Sequence, residues 1–257
     1  MTTKRTSEWF HKFFGGLYGR VLAGQFTPAD TLRQARLIKK VLNLRKGQSV
    51  LDCPCGQGRV TIPLAQMGLA ATGVDITAGF IRQANADARK LPPGQRKLLN
   101  FIRQDMRKID FDCQFDAAIN WFTSFGYFSD EENLTFCRRI FRALKPGGQF
   151  LVEVVNKSWV LSHFQSGHDE VVSGVRIVSS CRYDAREDRM YNHWIMSQGR
   201  RNQRSQFSLR MYNGGDLRAV LKSAGFADIR LLGHSRKGVQ RFTRHCRRFI
   251  IMARKPA

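Results

Sequence analysis

The sequence lacks a long apolar run. Its longest apolar stretches, such as residues 249–253, have the length of a strand, whereas a membrane-spanning helix needs about 20 residues. Lys4 and Arg5 lie near the start, but Glu8 and further charges interrupt the apolar region that a signal peptide would require. We therefore expect neither a membrane-spanning segment nor a secretory leader.

Cysteine is scarce, with six residues in a chain of 257. Cys53 and Cys55 form the only close pair, and their spacing is too short for an unstrained disulfide. Scattered thiols are typical of a reducing compartment, so we expect a cytoplasmic protein. Internal repeats and low-complexity linkers are absent as well, and the 42% hydrophobic and 25% charged residues are typical of a folded domain.

Acidic residues are also few. The chain has 20 Asp and Glu against 43 Lys and Arg, which leaves a formal net charge of +23. This excess favours anionic partners, although it carries no information about the fold.

The first residues predict a helical cover over positions 1–46. Apolar side chains recur at helical spacing over 9–22, and Gly15 and Gly16 predict a kink there. A second helix is expected after Thr27 and Pro28, which have the order of an N-cap followed by a first-turn proline.

From Ser49 onwards, short apolar strands alternate with helices, which is the pattern of an α/β protein with a parallel sheet covered on both faces. Strands are predicted at 49–52, 71–75, 98–103, 115–120 and 149–155, and helices at 59–67, 77–90 and 130–144. Ser129 and Glu132 form a capping-box pattern at the start of the third helix. A helix capped by Asn213 and two strands, at 226–232 and 247–253, complete a doubly wound, mostly parallel sheet of seven strands.

Residues 157–210 interrupt this alternation. Valine-rich and aromatic strand-like pieces lie at 170–173, 175–183, 189–197 and 206–212, and polar turns join them. We predict an antiparallel insertion that acts as a substrate lid on a core formed by residues 47–156 and 211–257.

The loop after the first predicted strand carries the clearest chemical signal. Gly56 and Gly58 allow the backbone to approach a ligand, and the following helix presents free N–H groups. Asp75 ends the second strand, where a carboxylate can accept hydrogen bonds from both ribose hydroxyls. The pattern predicts an adenosine site, but Thr61 stands where a dinucleotide-binding loop has its third glycine, which weakens a dehydrogenase interpretation.

These motifs, in this order, resemble the class I S-adenosylmethionine-dependent methyltransferases. The first motif reads Val50-Leu51-Asp52-Cys53-Pro54-Cys55-Gly56-Gln57-Gly58, in which Pro54 replaces the family's usual first glycine. The other four matches are Gly73-Val74-Asp75, Gln104-Asp105-Met106, the fourth strand at residues 115–120, and the turn at residues 144–148.

The resemblance implies a Rossmann-like fold and S-adenosyl-L-methionine as the cofactor, without a metal. The residues that it assigns to cofactor binding are Tyr18, Asp52, Cys53, Cys55, Gly56, Gly58, Arg59, Asp75, Ile76, Asp105, Met106, Asn120, Trp121 and Phe122. The stretch Asn120-Trp121-Phe122-Thr123-Ser124-Phe125-Gly126-Tyr127-Phe128 is similar to the branch that methylates small metabolites.

The expected activity is in-line methyl transfer to N or O of a small metabolite. The leading alternatives are an RNA methyltransferase that uses the basic surface and a cofactor-binding module without transfer activity. The catalytic base, if one is used, stays undetermined: the candidates in or beside the insertion are His163, His168, His193, Tyr183 and Glu153, and Tyr18 of the first helix can close over the cofactor.

The position of the basic residues bears on the acceptor. In this family, residues 157–210 and 234–248 emerge at the ligand crevice; the first segment carries nine Lys and Arg against five acids, and the second carries six against none. We therefore expect an anionic small-molecule acceptor and weak, non-specific binding of nucleic acid, with the oligomeric state left open.

Overall fold

The computed structural model describes residues 9–235 and 238–257, and a large twisted sheet forms its centre. The strands in this part of the chain are β1 (Ser49–Asp52), β2 (Ala70–Asp75), β3 (Leu99–Arg103), β4 (Phe115–Asn120), β5 (Leu144–Val155), β6 (Gly167–Val172), β7 (Val175–Asp184), β8 (Arg189–Gln198), β9 (Arg201–Arg210), β10 (Ala227–Ser235), β11 (Gly238–Arg241) and β12 (Arg248–Arg254).

Eight of these strands form the central sheet, in the order β11-β10-β12-β5-β4-β1-β2-β3. Strands β3, β2, β1, β4 and β5 are parallel, and β12 is antiparallel to both β5 and β10. The predicted doubly wound, mostly parallel α/β sheet is therefore confirmed. It has one strand more than predicted, because residues 238–241 fold back on β10 as an antiparallel hairpin.

The helices cover both faces of this sheet. They are α1 (Trp9–Phe14), α2 (Tyr18–Gly24), α3 (Pro28–Val41), α4 (Thr61–Gln66), α5 (Ala78–Arg89), α6 (Pro93–Arg96), α7 (Asp130–Ala143), α8 (Lys157–Ser162) and α9 (Gly214–Ser223). The predicted caps Thr27, Ser129 and Asn213 each accept a hydrogen bond from the third residue of their helix. None of the helices in residues 9–235 and 238–257 has the length and apolar character that a membrane crossing requires.

The remaining four strands form a separate antiparallel sheet, in the order β6-β7-β8-β9. Three details differ from the prediction. Strand β6 spans Gly167–Val172 and not residues 170–173. Strand β9 begins at Arg201 and not at residue 206, because ten residue pairs align it with β8 immediately after a tight turn. Helix α8 precedes the sheet and was not predicted; its N-cap is Asn156, whose side chain accepts from the Ser158 amide.

The N-terminal helices join the two sheets. Val21 of α2 is fully buried, and with Phe13 and Leu17 it packs against Val175 and Met196 of the four-stranded sheet. Separate apolar clusters fill the two faces of the central sheet. Helices α1 and α2 and the antiparallel sheet therefore form one cover, which lies near the carboxyl ends of β1 and β2.

Candidate active site

The loop between β1 and α4 forms the floor of a cavity. Gly56 has a φ of +57°, and a Cβ atom placed there would meet no atom within 4 Å, so the space beside it is open. Gly58 has a φ of +76°, and a Cβ atom there would lie 2.8 Å from the ring of Phe101. Gly56 thus leaves room for a ligand. Position 58 requires a glycine because a side chain there would clash with Phe101.

Asp75, at the end of β2, is anchored beside this loop. Its Oδ2 accepts from the Gly56 amide at 2.9 Å, and its Oδ1 accepts from the Thr77 amide at 2.8 Å. Burial raises the pKa of this carboxyl above its usual value, and the two backbone bonds only partly oppose the shift. Each oxygen retains lone-pair capacity, so both could accept hydrogen bonds from a ribose.

Asp52, at the end of β1, is a second buried carboxyl in the same region. Thr61 donates a hydrogen bond of 2.6 Å to its Oδ2. Burial nevertheless raises the pKa of Asp52 to about 7. A cationic group bound nearby would favour the ionised form of this carboxyl.

Asp105 lies at the far end of the cavity, after β3. Arg107 donates to both of its carboxylate oxygens, with Nη2 at 2.7 Å from Oδ2, and also reaches Glu132 at 2.6 Å. Burial of Asp105 would raise its pKa, but the bonds and charge of Arg107 outweigh it and lower the pKa. The Arg107 guanidinium also lies 4.3 Å from the centre of the Phe128 ring. This arrangement holds an ionised hydrogen-bond acceptor in the wall of the cavity.

An aromatic cover closes this cavity. The rings that line it come from α1, α2, α5 and the loop after β4, and they are Phe10, Phe14, Tyr18, Phe80, Phe122, Tyr127 and Phe128. Burial raises the pKa of Tyr18 to about 12, so its hydroxyl stays protonated at neutral pH. We call this space the nucleoside cavity; its acids and rings suit the sugar and the base of S-adenosylmethionine.

A second cavity adjoins the first. Five residues line both: Leu22, Pro54, Gly56, Phe122 and Ser124. The second cavity extends along the loop to Arg59, to Phe26 and Thr31 of the helical cover, and to Trp121, which follows β4. We call it the distal cavity. Because the two spaces share walls, ligands in them could touch each other.

The loop after β4 separates the two cavities and has an unusual backbone. Phe122 and Thr123 are not glycines, yet their φ angles are +61° and +59°. The Thr123 amide donates to the Glu153 carbonyl at 3.0 Å, and Arg248 donates to the Thr123 hydroxyl at 2.6 Å. Left-handed backbone at such residues costs about 1–3 kcal/mol and occurs frequently at functional sites.

A buried ionic cluster supports this loop. Glu153 of β5 is 1% exposed; it accepts from Arg248 at 3.1 Å and contacts His234 Nδ1 at 3.1 Å. Burial alone would raise the pKa of Glu153, but the charge of Arg248 outweighs it, so the pKa lies below its usual value. Glu153 is therefore an ionised structural anchor, and it lines neither cavity.

Most residues that the sequence predicted for the cofactor meet at these two cavities. Those that line one or both are Tyr18, Asp52, Cys55, Gly56, Gly58, Arg59, Asp75, Ile76, Asp105, Met106, Trp121 and Phe122. Two others lie beneath the floor: Asn120 is fully buried and donates to the Cys53 carbonyl at 2.9 Å. The Asn120 Oδ1 atom has no hydrogen-bond partner within the described residues.

The candidate bases other than Tyr18 are not brought to the cavities. His163 stacks on Trp159 at 4.3 Å on the exposed side of α8, and Tyr183 donates a hydrogen bond to Asp188. His193 lines a different cleft, between the four-stranded sheet and the start of α7. His168 is exposed on the edge strand β6.

Several lining residues were missed by the sequence analysis. The helical spacing predicts Phe10 and Phe14 only as the apolar face of a helix, and Phe26 carries no motif. The signal that could have found the first two is the density of aromatic residues in α1, where four of the six residues are aromatic.

Comparison with known sequences assigns part of the chain. Residues 50–148 match the family model of a methyltransferase domain. The Bacillus subtilis (strain 168) protein named "Putative methyltransferase YqeM" is 35% identical over 108 residues, 41% of either chain. The "S-adenosyl-L-methionine-dependent Diels-Alderase iccD" of Talaromyces variabilis is 32% identical over 152 residues, 55% of this chain and 50% of that protein.

A "Ubiquinone biosynthesis O-methyltransferase" of Coxiella burnetii is 27% identical over 139 residues, which are 53% of this chain and 56% of that one. The chain therefore spans only about two fifths to just over half of the length of these relatives.

Solved structures match almost the whole chain. The CcbJ methyltransferase from Streptomyces caelestis has a TM-score of 0.78 at 20% identity, over 96% of this chain and 99% of that chain. The sugar N-methyltransferase KedS8 from Streptoalloteichus sp. has a TM-score of 0.65 at 20% identity, over 100% and 99%. At these identities the likeness shows a shared fold.

Proposed function

We propose that the chain, whose residues 50–148 match a methyltransferase domain, is a class I S-adenosylmethionine-dependent methyltransferase that transfers the cofactor's methyl group to a nitrogen or oxygen of a small metabolite. The observation that carries this proposal is the wall shared by the nucleoside cavity and the distal cavity, which is formed by Leu22, Pro54, Gly56, Phe122 and Ser124. A site for binding alone would not need a second cavity that opens on the first.

We propose that the nucleoside part of the cofactor lies in the nucleoside cavity and that its methionine part reaches the distal cavity, which Asp52 lines. Asp75 would accept from the ribose hydroxyls, and Asp105, held by Arg107, would accept from the adenine amino group. Asp52 would stabilise the positive charge of the methionine part. The remaining residues of this site would act through packing or backbone, and they are Tyr18, Cys53, Cys55, Gly56, Gly58, Ile76, Met106, Asn120, Trp121 and Phe122.

The chain's contribution to the reaction is placement and the exclusion of water. When bound, the cofactor supplies a sulfonium methyl group that an acceptor can attack in line. The rings of Phe14, Tyr18 and Tyr127 would keep water from that methyl group, and the rigid loop at Phe122 would fix the direction of approach. Since the Tyr18 hydroxyl keeps its proton at neutral pH, it can orient an acceptor but does not act as a base.

The names of similar proteins support a small acceptor. The Coxiella burnetii relative is named for O-methylation in ubiquinone biosynthesis, and KedS8 is named for N-methylation of a sugar. The four-stranded sheet, which packs on α1 and α2, would serve as the lid on such an acceptor.

A second candidate is a protein that binds the cofactor without transferring its methyl group. The observation that favours it is the match to a relative named as an S-adenosyl-L-methionine-dependent Diels-Alderase.

The test is a transfer assay with S-adenosylmethionine labelled in its methyl group. The protein is incubated with a low-molecular-weight metabolite extract, and separately with purified tRNA and rRNA, and the label is followed in each fraction. We expect label in small molecules only. Label in RNA would support the RNA methyltransferase alternative, and cofactor that binds but is never consumed would support the second candidate.

A further inference from the structure

Arg59, in the distal cavity, is a guanidinium group with an incomplete set of partners. Its Cζ atom lies 3.9 Å from the centre of the Phe26 ring and 5.7 Å from the centre of the Phe122 ring. Its Nη1 donates to the Gln34 side-chain oxygen at 2.9 Å, an oxygen that also accepts from the Trp121 indole at 2.9 Å. The side chain is thus held in one orientation by two aromatic rings and a neutral amide.

No carboxylate pairs with this group in the part of the chain that the structure describes. Arg248, which also lies near the Phe122 ring, differs in this respect, because Glu153 neutralises it at 3.1 Å. The charges of Asp52, Glu153 and Asp30 favour the charged form of Arg59 from a distance, but none of these carboxylates forms an ion pair with it within the described residues. Asp52 lines the same cavity, bonds to Thr61 and, with a pKa of about 7, is partly protonated at neutral pH. A positive charge therefore faces the distal cavity without full compensation.

Burial makes this charge costly for the free protein. It lowers the pKa of Arg59 to about 10, which still leaves the guanidinium charged at neutral pH. Removing a charge from water without an opposite charge nearby is unfavourable. A bound anion would supply the missing partner, and the planar fork of arginine suits the paired oxygens of a carboxylate or a phosphate.

Arg59 lines the distal cavity and not the nucleoside cavity. Of the three carboxylates assigned to the cofactor, Asp75 and Asp105 line the nucleoside cavity and Asp52 lines the distal cavity. The methionine part of the cofactor would therefore reach the distal cavity beside Asp52, whereas Phe26 and Gln34 hold Arg59 against the helical cover. An anion on the acceptor would meet Arg59 on that side of the cavity, and saturation with S-adenosylhomocysteine separates it from the cofactor's own carboxylate.

We propose that Arg59 is the binding group for a carboxylate or phosphate carried by the methyl acceptor, with Phe26 and Gln34 as its positioning residues. This inference rests on the proposed function and narrows its substrate class to anionic metabolites. It also gives Arg59 a role different from the cofactor binding predicted from the sequence.

The test separates the acceptor's anion from the carboxylate of the cofactor. The protein is first saturated with S-adenosylhomocysteine, which fills the cofactor's own site, and inorganic phosphate and then acetate are titrated in by calorimetry at constant ionic strength. We expect saturable binding of at least one of these anions, weakened at least tenfold by Arg59→Gln. The affinity for S-adenosylhomocysteine should stay within twofold of the wild-type value.

A matched control removes the same charge elsewhere. Arg33→Gln alters an arginine of α3 whose side chain is 50% exposed and paired with Asp30, so the anion affinity should change less than twofold. If Arg59→Gln fails to fold, Arg59→Lys keeps the charge but loses the planar fork, and the anion should still bind several-fold more weakly.

Three results would overturn the proposal. They are no measurable binding of either anion, equal losses in Arg59→Gln and Arg33→Gln, and a tenfold loss of affinity for S-adenosylhomocysteine in Arg59→Gln. The transfer assay reports separately on the proposed function, because anion binding to the saturated protein does not depend on turnover.

Discussion

The two cavities differ in the charged groups that line them. The nucleoside cavity is lined by two carboxyl groups, Asp75 and Asp105, whereas the distal cavity is lined by Arg59 as well as by Asp52 and Asp87. Asp52 would meet the positive methionine part of the cofactor, and Arg59 would meet a negative group of the acceptor. This arrangement would place opposite charges on the two reactants.

The acids at this edge of the sheet also differ in what their charge does for the fold. Burial raises the pKa of Asp52 and Asp75, so keeping them ionised costs stability in the free protein. The pKa of Glu153 is lowered, so its charge stabilises the folded state. Asp105 combines both properties: Arg107 lowers its pKa, so the pair stabilises the folded state, and its carboxylate lines the nucleoside cavity. We infer that Asp52 and Asp75 serve a ligand, that Glu153 serves the structure and that Asp105 serves both, and the following predictions test this division.

The largest expected effect is on stability. Glu153→Gln should lower the free energy of unfolding at neutral pH by about 3 kcal/mol, because it leaves Arg248 partly buried without its carboxylate. Denaturant unfolding followed by circular dichroism measures this change. The exposed Glu131→Gln on α7 is the control, and a loss below about 0.5 kcal/mol in both variants would show that the cluster is not structural.

The next effect is on cofactor binding. Asp75→Ala should weaken the binding of S-adenosylmethionine by at least ~1.5 kcal/mol, about the energy of hydrogen bonds to a charged group. The fold should be retained, since a carboxyl with a raised pKa does not stabilise it at neutral pH. Calorimetry measures the affinity for S-adenosylmethionine in this variant and in Asp112→Ala, an exposed control. Equal affinities in the two variants would remove Asp75 from the site.

Cofactor affinity should also depend on pH. Asp52 has a folded pKa of about 7, and a cationic ligand favours its ionised form, so binding should release a proton and strengthen by about tenfold from pH 6 to pH 8. The pH dependence of stability in the free protein has the opposite sign. The free energy of unfolding that protonated Asp52 contributes is lost as pH rises towards its folded pKa of about 7. Asp52→Asn should remove both dependences. A wild-type affinity that does not change with pH would contradict the assignment of Asp52.

The smallest effect concerns Arg107. Arg107→Gln removes the group that holds Asp105 in place, and we expect about a fivefold loss of cofactor affinity, or ~1 kcal/mol. Since Arg107 also lowers the pKa of Asp105 in a partly exposed ion pair, stability should fall too, but by less than in Glu153→Gln. Arg142→Gln, which alters an exposed arginine paired with Asp110, is the matched control. Competition by S-adenosylhomocysteine against a fluorescent analogue measures both.

The fold and the nucleoside cavity could be predicted because their signals are local in the sequence. Alternating strands and helices imply a parallel sheet, and the ends of its strands then bring Asp52, Asp75 and Asp105 to one edge. The caps at Thr27, Ser129 and Asn213 were readable for the same reason, since a cap involves residues only three apart.

The distal cavity could be predicted only in part. Its motif residues, among them Asp52, Arg59 and Trp121, were predicted, but the contacts that join them to the helical cover were not, because those contacts link distant parts of the chain. Gln34 meets Trp121 across 87 positions and Arg59 across 25. Neither the stacking of Arg59 on Phe26 nor the absence of a paired carboxylate within the described residues has a motif. The candidate bases His163 and His193 were chosen for their residue type and their place in the insertion. Their position relative to the cavities depends on tertiary structure, and in the structure they line neither cavity.

The most direct test of the division between the two cavities is the affinity for S-adenosylhomocysteine of two single variants, Asp75→Ala and Arg59→Gln, measured by calorimetry under one set of conditions. The account predicts a loss of at least tenfold for Asp75→Ala and a change within twofold for Arg59→Gln. A comparable loss in both variants would contradict it, because Arg59 would then belong to the cofactor's site and the distal cavity would have no anion-binding group of its own.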